Sequence, residues 1–306
     1  MTTVSHTSSE IADQPELWTR AAALVGDCAG LPRPGERVAF VGCGTSWFIG
    51  QAYAVLRERA GQGVTDAFAA SEFPGVRDYD RVVALTRSGT TTEVLRLLAD
   101  IRATVATTAI TGTPGTPIVD AADEIVMLDF ADEKSVVQTR FATTALALLR
   151  AHLGEDLSAA VRDAKTAVEA APAAEFVAAE QFTFLGTGWS VGLAAEAALK
   201  MREAAGAWTE SYPAMEYRHG PISIAAPNRI TWVFGPVPDG LAEQVAATGG
   251  TLVAGALDPM AELIRVQKLA VAIAERLGLN PDEPRHLTRS VVLDADSDSG
   301  ADSDES

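Results

Sequence analysis

Arg37-Val-Ala-Phe-Val-Gly-Cys-Gly-Thr-Ser46, followed by a helix-patterned stretch from Trp47 to about Ala60, decides the fold. A short apolar run suited to a buried strand enters a glycine-and-hydroxyl turn and then a helix, which is one βα unit. The event recurs at Arg81-Val-Val-Ala-Leu85, followed by Thr86-Arg87-Ser88-Gly89-Thr90-Thr91-Thr92 and a helix from Glu93 to Ile101. Thr107 to Thr111 and Ile125 to Asp129 read as two further strands, and Val137 to Leu153 as a strong helix. Strands and helices alternating at this spacing predict an α/β fold built on a doubly wound parallel sheet.

The second half restarts the pattern. Gln181-Phe-Thr-Phe-Leu185 leads into Gly186-Thr187-Gly188-Trp189-Ser190 and a helix to about Ala205, and Arg229 to Phe234 and Thr251 to Ala256 echo the later strands of the first half. This is the signature of an internal duplication, hence a tandem pair of parallel-sheet subdomains. The expected divisions are an N-terminal helix region at 1–25, a first subdomain at 26–156, a second at 157–293 and an acidic tail at 294–306. The Ala-rich segment from Leu157 to Glu180, broken by Pro172, is the joint. The tail has nothing to bury and is expected to be disordered.

Composition narrows the partners. The chain has 306 residues, 47 % of them hydrophobic, enough for a sizeable core, and a formal charge of −17. Six acids and no base fall between Asp294 and Ser306, yet the rest is still strongly acidic. Such a chain has no general attraction for nucleic acid, whose phosphates need Lys and Arg to displace counterions, and is equally poor for anionic membranes. No unbroken apolar run approaches ~18 residues, and the polar start from Met1 to Glu10 lacks a signal-peptide pattern. Cys28 and Cys43 make no disulfide framework. A cytoplasmic protein with a small-molecule partner is expected.

The first two turns look like an anion cup. Unpaired N–H groups at a helix N-terminus and the helix dipole favour an anion, and glycine lets the backbone approach it. Ser46, Thr86, Ser88, Thr90 and Thr91 add neutral donors and Arg87 a charged one. N-capping alone accounts for a single hydroxyl per turn, so this density favours phosphate. A dinucleotide fingerprint would need a third glycine where Trp47 stands, and there is no Gly-x4-Gly-Lys-Ser/Thr loop. Gly188-Trp189-Ser190-Val191-Gly192 matches a nucleophile elbow, with Asp258 and His286 following in order, but no oxyanion-hole glycine run precedes it.

The helix after Ser190 carries chemistry on an apolar background. At about 100° per residue, Glu196, Lys200 and Glu203 fall on one face while Arg202 points elsewhere. Ala194, Ala195, Ala197, Ala198, Leu199 and Met201 flank them, so a partly buried carboxylate–ammonium–carboxylate row is expected. Burial raises a carboxylate's pKa and an ammonium lowers it, which poises one carboxylate for proton transfer; a structural ion-pair row is the alternative. Downstream, Glu216-Tyr217-Arg218-His219-Gly220-Pro221 puts His219 at a turn that presents its ring for acid–base work. No His/Cys/Asp cluster has ligand spacing, so neither metal nor cofactor is expected.

Taken together, these motifs resemble the SIS (sugar isomerase) family, and within it the isomerase half of glucosamine-6-phosphate synthases without the glutaminase half. The resemblance spans nearly the whole chain, from Glu10 to Leu293. Cys43-Gly44-Thr45-Ser46 matches the family's first sugar-phosphate turn. Thr86-Arg87-Ser88-Gly89-Thr90-Thr91 matches the second, usually Ser-Gln-Ser-Gly-Glu-Thr. Val136 matches a substrate-contacting valine. Glu196-Ala-Ala-Leu-Lys200-Met-Arg-Glu203 matches the Glu-x3-Lys-x2-Glu helix, and Glu216 to Pro221 matches Glu-Leu-Lys-His-Gly-Pro.

The resemblance implies a tandem pair of five-stranded flavodoxin-like sheets and a homodimer with the active site near the subunit interface. It implies a phosphate site at Gly44, Thr45, Ser46, Thr86, Arg87, Ser88 and Thr91, with Cys43, Val136 and Arg289 as further substrate contacts. Glu203 would move a proton between C1 and C2 of a hexose- or hexosamine-6-phosphate, with Lys200 and Glu196 setting its charge, and His219 would open the sugar ring, in that family from the neighbouring subunit. The implied reaction is aldose–ketose isomerisation; dehydration or deamination of an amino-sugar phosphate, and sugar-phosphate sensing without turnover, are alternatives. Arg289 departs from the family's imine-forming lysine, since a guanidinium stays protonated. The second half's last strand also looks shortened. The whole scheme requires the Glu203 carboxylate to face the same hollow as the hydroxyl-lined turns.

Overall fold

A computed structural model describes residues 4–293; the acidic tail falls outside the described residues. The first half forms a five-stranded parallel sheet from β1 (Val38–Gly42), β2 (Thr65–Ala69), β3 (Arg81–Thr86), β4 (Ala106–Thr111) and β5 (Glu124–Met127), in the order β2-β1-β3-β4-β5. That is the flavodoxin-like order of a doubly wound sheet, with its crevice where the strand order reverses, beyond β1 and β3. β1 and β3 are buried along their whole length, as strands covered on both faces must be. The second half repeats the plan with β6 (Gln181–Gly186), β7 (Trp208–Pro213), β8 (Arg229–Phe234) and β9 (Thr251–Ala254), all parallel, in the order β7-β6-β8-β9.

The two sheets differ by one strand. After β9 the chain turns at Ala256 and Leu257 straight into a helix, where the first half has room for β5. Buried Glu262 accepts hydrogen bonds from the Ala256 and Leu257 N–H groups (3.1 and 3.2 Å) and from Trp232 Nε1 (3.2 Å). It satisfies the backbone N–H groups of the turn after β9 and the Trp232 indole. The shortened end inferred from the sequence is therefore one strand fewer than the five-stranded repeat.

Among the described residues, ten helices surround the sheets: α1 (His6–Ala23), α2 (Thr45–Arg59), α3 (Thr92–Ile101), α4 (Ile118–Ala121), α5 (Arg140–His152), α6 (Ser158–Glu169), α7 (Ala174–Val177), α8 (Ser190–Ala205), α9 (Leu241–Ala247) and α10 (Pro259–Arg276). Pro15 sits inside α1 and cannot bond to the Ile11 carbonyl, and the Gln14 side-chain amide donates to that carbonyl instead, at 3.2 Å. One apolar cluster runs through both halves, joining Trp18, Phe40 and Phe141 to Phe182, Phe184 and Phe234. With a shared core, the two sheets are fixed relative to each other. Among the described residues, no helix is long and apolar enough to cross a membrane.

The helix pair that matters for function is α2 against α8, each the helix that follows the first strand of its half. A Cβ at Gly192 would lie 2.4 Å from the Phe48 carbonyl oxygen, so only glycine lets α8 approach this closely. That contact brings the charged row of α8 over the first turn of α2.

Candidate active site

The turn between β1 and α2 begins the site. Gly44, with φ 53°, takes the left-handed corner, and Thr45 and Ser46 are buried in the first turn of α2. Their positions at a helix N-terminus expose unpaired N–H groups to any anion placed there. Cys43 is half-buried; burial, with Glu93 nearby, pushes its thiol up to about 11, so it is a neutral contact rather than a thiolate.

The turn after β3 is held by its own hydroxyls. Thr86 Oγ1 accepts from the Gly89 N–H at 3.3 Å, and Ser88 Oγ accepts from the Thr90 N–H at 3.3 Å and from the Thr90 hydroxyl at 3.1 Å. Thr91 is the residue before the first turn of α3. The C-terminal segment crosses this turn. Ser290 Oγ lies 3.0 Å from Thr90 Oγ1 and 3.4 Å from Thr91 Oγ1, and the Thr92 N–H donates to the Val291 carbonyl at 3.1 Å. Sequence reading missed Ser290, which touches the second turn only through chain contacts some two hundred residues apart.

Two arginines correct the expectation drawn from the motifs. Arg87, expected to donate to the phosphate, is 2 % exposed, and its guanidinium is committed elsewhere. It donates to the carbonyls of Ser135, Val136 and Arg289 at 3.0, 3.0 and 3.1 Å and pairs with Glu133 at 3.4 Å. Glu133 also accepts from the Thr139 N–H (2.5 Å), the Thr139 hydroxyl (2.9 Å) and the Arg140 N–H (2.8 Å), closing the start of α5. Burial raises the Glu133 pKa, while Arg87 opposes that rise. Arg289, expected to contact substrate, pairs with Asp132 at 2.5 Å and donates to the Glu133 carbonyl. Both side chains therefore clamp the 132–136 loop and the C-terminal segment. Val136 lies in that loop, half-buried, its N–H bonded to the Asp282 carbonyl at 2.9 Å.

The charged row of α8 is assembled as its spacing requires. Lys200, 1 % exposed, contacts Glu203, lies 3.5 Å from Glu196 and donates to Thr45 Oγ1 at 2.9 Å. Glu196 is fully buried, with Lys200 and the Thr45 hydroxyl beside its carboxyl group. Burial, reinforced by Glu203 and opposed by Lys200, pushes its pKa up to about 8. Burial disfavours the charge on Lys200, but the two glutamates outweigh it and hold its pKa above the ordinary value. The row is thus a buried carboxyl group whose proton is favoured and a buried ammonium whose charge is favoured, with Glu203 at its open end. Of the three, only Glu203 keeps an opening, its side chain 19 % exposed.

The Glu203 opening is a hollow of about 500 Å³ lined also by Arg202, Asn280, Glu283, Arg285 and His286. Ser46, Thr86, Ser88 and Thr91 do not line it. The expectation of one common hollow is corrected: Lys200 and Thr45 fill the space between the first turn and Glu203, coupling the two regions through a hydrogen bond. His219 stands elsewhere, exposed at the end of the 3-10 helix Glu216–Arg218, and does not line the hollow of its own chain. Ser190, the elbow candidate, accepts from the Thr187 N–H at 2.9 Å and donates to the Phe234 carbonyl at 2.7 Å, locking its turn. Arg59 lies over the same turn, where a Cβ on Gly188 would come within 2.4 Å of its guanidinium. The second copy of the turn is thereby filled from the first half.

Comparison with known proteins places this geometry. The SIS domain family matches residues 33–153. The glutamine–fructose-6-phosphate aminotransferase (isomerizing) of Gloeobacter violaceus is 27 % identical, over 88 % of this chain and 55 % of that protein. The chain spans about half the length of the curated relatives it matches. Among solved structures, glucosamine-6-phosphate deaminase from Thermotoga maritima superposes with a TM-score of 0.80 at 22 % identity, covering 94 % of this chain and all of that one. Tagatose-6-phosphate ketose/aldose isomerase from Escherichia coli does so with a TM-score of 0.74 at 17 % identity, covering 94 % and 96 %. These structures share the tandem parallel-sheet fold.

Proposed function

With an SIS domain at residues 33–153 as the premise, we propose that the protein is an enzyme that removes the C2 proton of a hexose- or hexosamine-6-phosphate and interconverts aldose and ketose. The observation that carries the reading is Glu203: a carboxyl group open to a hollow, held by a buried lysine that also bonds to Thr45 in the first turn. The relatives' names point the same way, each naming a hexose or hexosamine 6-phosphate. We assign the phosphate to the Ser46 turn and to the Thr86, Ser88 and Thr91 hydroxyls; because these do not line the Glu203 hollow, the sugar has to reach past the Lys200–Thr45 contact to bring C2 to Glu203. Glu203 carries the proton between C2 and C1, with Lys200 and Glu196 setting its charge environment.

The site is completed by a second copy of this chain. His219, exposed and apart from Glu203, opens the sugar ring of the neighbouring copy, so the active form is a homodimer. A second reading, loss of the C3 hydroxyl from the enediolate or enolamine, or hydrolysis by water of the C2 imine formed when the enolamine is reprotonated at C1, rests on the Arg289 clamp. It removes the imine-capable amine of the synthases, while Lys200 is buried between carboxylates.

Incubation in D2O with glucosamine-6-phosphate, N-acetylglucosamine-6-phosphate, glucose-6-phosphate or fructose-6-phosphate tests the proposal. Solvent deuterium at C2 of an aldose, or C1 of a ketose, is expected, together with the isomer by mass spectrometry. An unsaturated product, or ammonia released with fructose-6-phosphate from glucosamine-6-phosphate, selects the second reading. Binding of a sugar phosphate with no exchange, unchanged in Glu203→Gln, means a sensor and ends the enzymatic reading.

A further inference from the structure

Resting on the proton-abstraction reading, we propose that His286 is a second catalytic acid–base group, exchanging protons with the sugar oxygens at C1 and C2 while Glu203 works on the carbons. His286 lines the same hollow of about 500 Å³ as Glu203, and it is the only histidine that does so among the described residues. The hollow is thus furnished, within one chain, with a carboxylate and an imidazole, a pair able to move protons to and from adjacent carbon and oxygen atoms.

The backbone around His286 is built to present that ring. Pro284 to Leu287 form a turn closed by the Leu287 N–H on the Pro284 carbonyl at 3.4 Å, and His286 is its third residue with φ 64°. That position favours glycine or asparagine, and a ring-bearing side chain is kept there against the local preference. The loop is tied down on both sides. Asp282 accepts the Thr7 N–H and hydroxyl, both at 2.7 Å, and its carbonyl accepts the Val136 N–H at 2.9 Å. Arg289, three residues beyond His286, holds Asp132. These contacts fix the backbone of the loop, and the exposed His286 side chain stands at the rim of the hollow.

The chemistry balances within the pair. Glu203 takes the C2 hydrogen as a proton, the C–H electron pair becomes the C1–C2 double bond, and the C1 carbonyl oxygen takes a proton from protonated His286. The neutral imidazole then accepts the proton of the C2 hydroxyl as the C2 carbonyl forms, and Glu203 delivers its proton to C1. Both groups return to their starting states, and no outside oxidant or reductant takes part.

The test uses the full chain with the sugar phosphate that shows exchange in wild type. His286→Asn and His286→Gly both suit a positive φ, so thermal melting should match wild type. In both, kcat is expected to fall about 100-fold or more, with the glycine variant recovering at least part of that loss in tens of millimolar imidazole. Wild-type turnover by either variant, or a loss in the glycine variant that imidazole does not restore, overturns the role of His286 while leaving the Glu203 reading in place. Undiminished exchange in Glu203→Gln, or no exchange by wild type with any of these sugars, instead brings down the function and this proposal with it.

Discussion

Lys200 Nζ lies 2.9 Å from Thr45 Oγ1, so the ammonium of the helix after the second half's first strand sits on the anion turn of the first half. The bond crosses the duplication and couples the two regions of the site. It exists because Gly192 lets α8 press against Phe48. Its consequences are measurable.

Glu203→Gln removes the base while keeping a side chain that can still accept from Lys200. Turnover and C2 exchange should fall at least about 1,000-fold, within the range for loss of a positioned base, and sugar-phosphate affinity should change little. Isothermal titration beside D2O exchange separates the two effects.

Glu196 makes stability depend on pH. Its pKa is about 8 in the folded state against 4.5 for the free side chain. Between those values the folded chain keeps a proton that the unfolded chain releases, so stability falls as pH rises from about 5 to 8. Glu196→Gln stays neutral throughout. It should match wild type near pH 5 and melt several degrees higher near pH 9, as differential scanning calorimetry across that range would show.

Arg87→Ala should harm stability more than affinity. It leaves Glu133 buried without its cation, a loss of about 3–5 kcal/mol for a broken buried pair. Urea denaturation should show that loss. A variant that stays stable but requires much more sugar phosphate for half-saturation would instead make Arg87 a phosphate ligand.

Ser46→Ala probes the phosphate turn. Losing one hydroxyl donor to a phosphate should raise KM roughly 10-fold, about 1.5 kcal/mol for a hydrogen bond to a charged group, with kcat nearly unchanged. An unchanged KM with unchanged kcat would remove Ser46 from the site.

Ser190→Ala should leave turnover intact. The hydroxyl fastens its turn to Thr187 and Phe234, and its loss should cost about 1 kcal/mol of stability. Abolished activity in a well-folded Ser190→Ala protein would revive the nucleophile-elbow reading.

What was legible in the sequence follows from the range of the forces involved. The strand-to-turn-to-helix units around Gly42 and Gly186 announce themselves, because apolar runs and glycine turns are local signals. The Glu196, Lys200 and Glu203 row was equally readable, since helical spacing alone puts the three on one face. Long-range pairing was not. Glu133 takes Arg87, 46 positions away, out of the anion turn, and no periodicity reports such a partner. The Glu203 hollow was hidden for the same reason: its far wall is the Gly278–His286 loop, whose place is set by Thr7 and Val136 rather than by its own composition.

Arg59 resting on Gly188 has a consequence for how the two repeats have diverged. The second turn has become a socket for a side chain of its sister, exchanging any ligand-holding role for mechanical union of the halves. Transplanting the Ser46 turn's hydroxyls into it would create no second binding site until Arg59 was cut back, and cutting it back would loosen the seam on which the working copy leans.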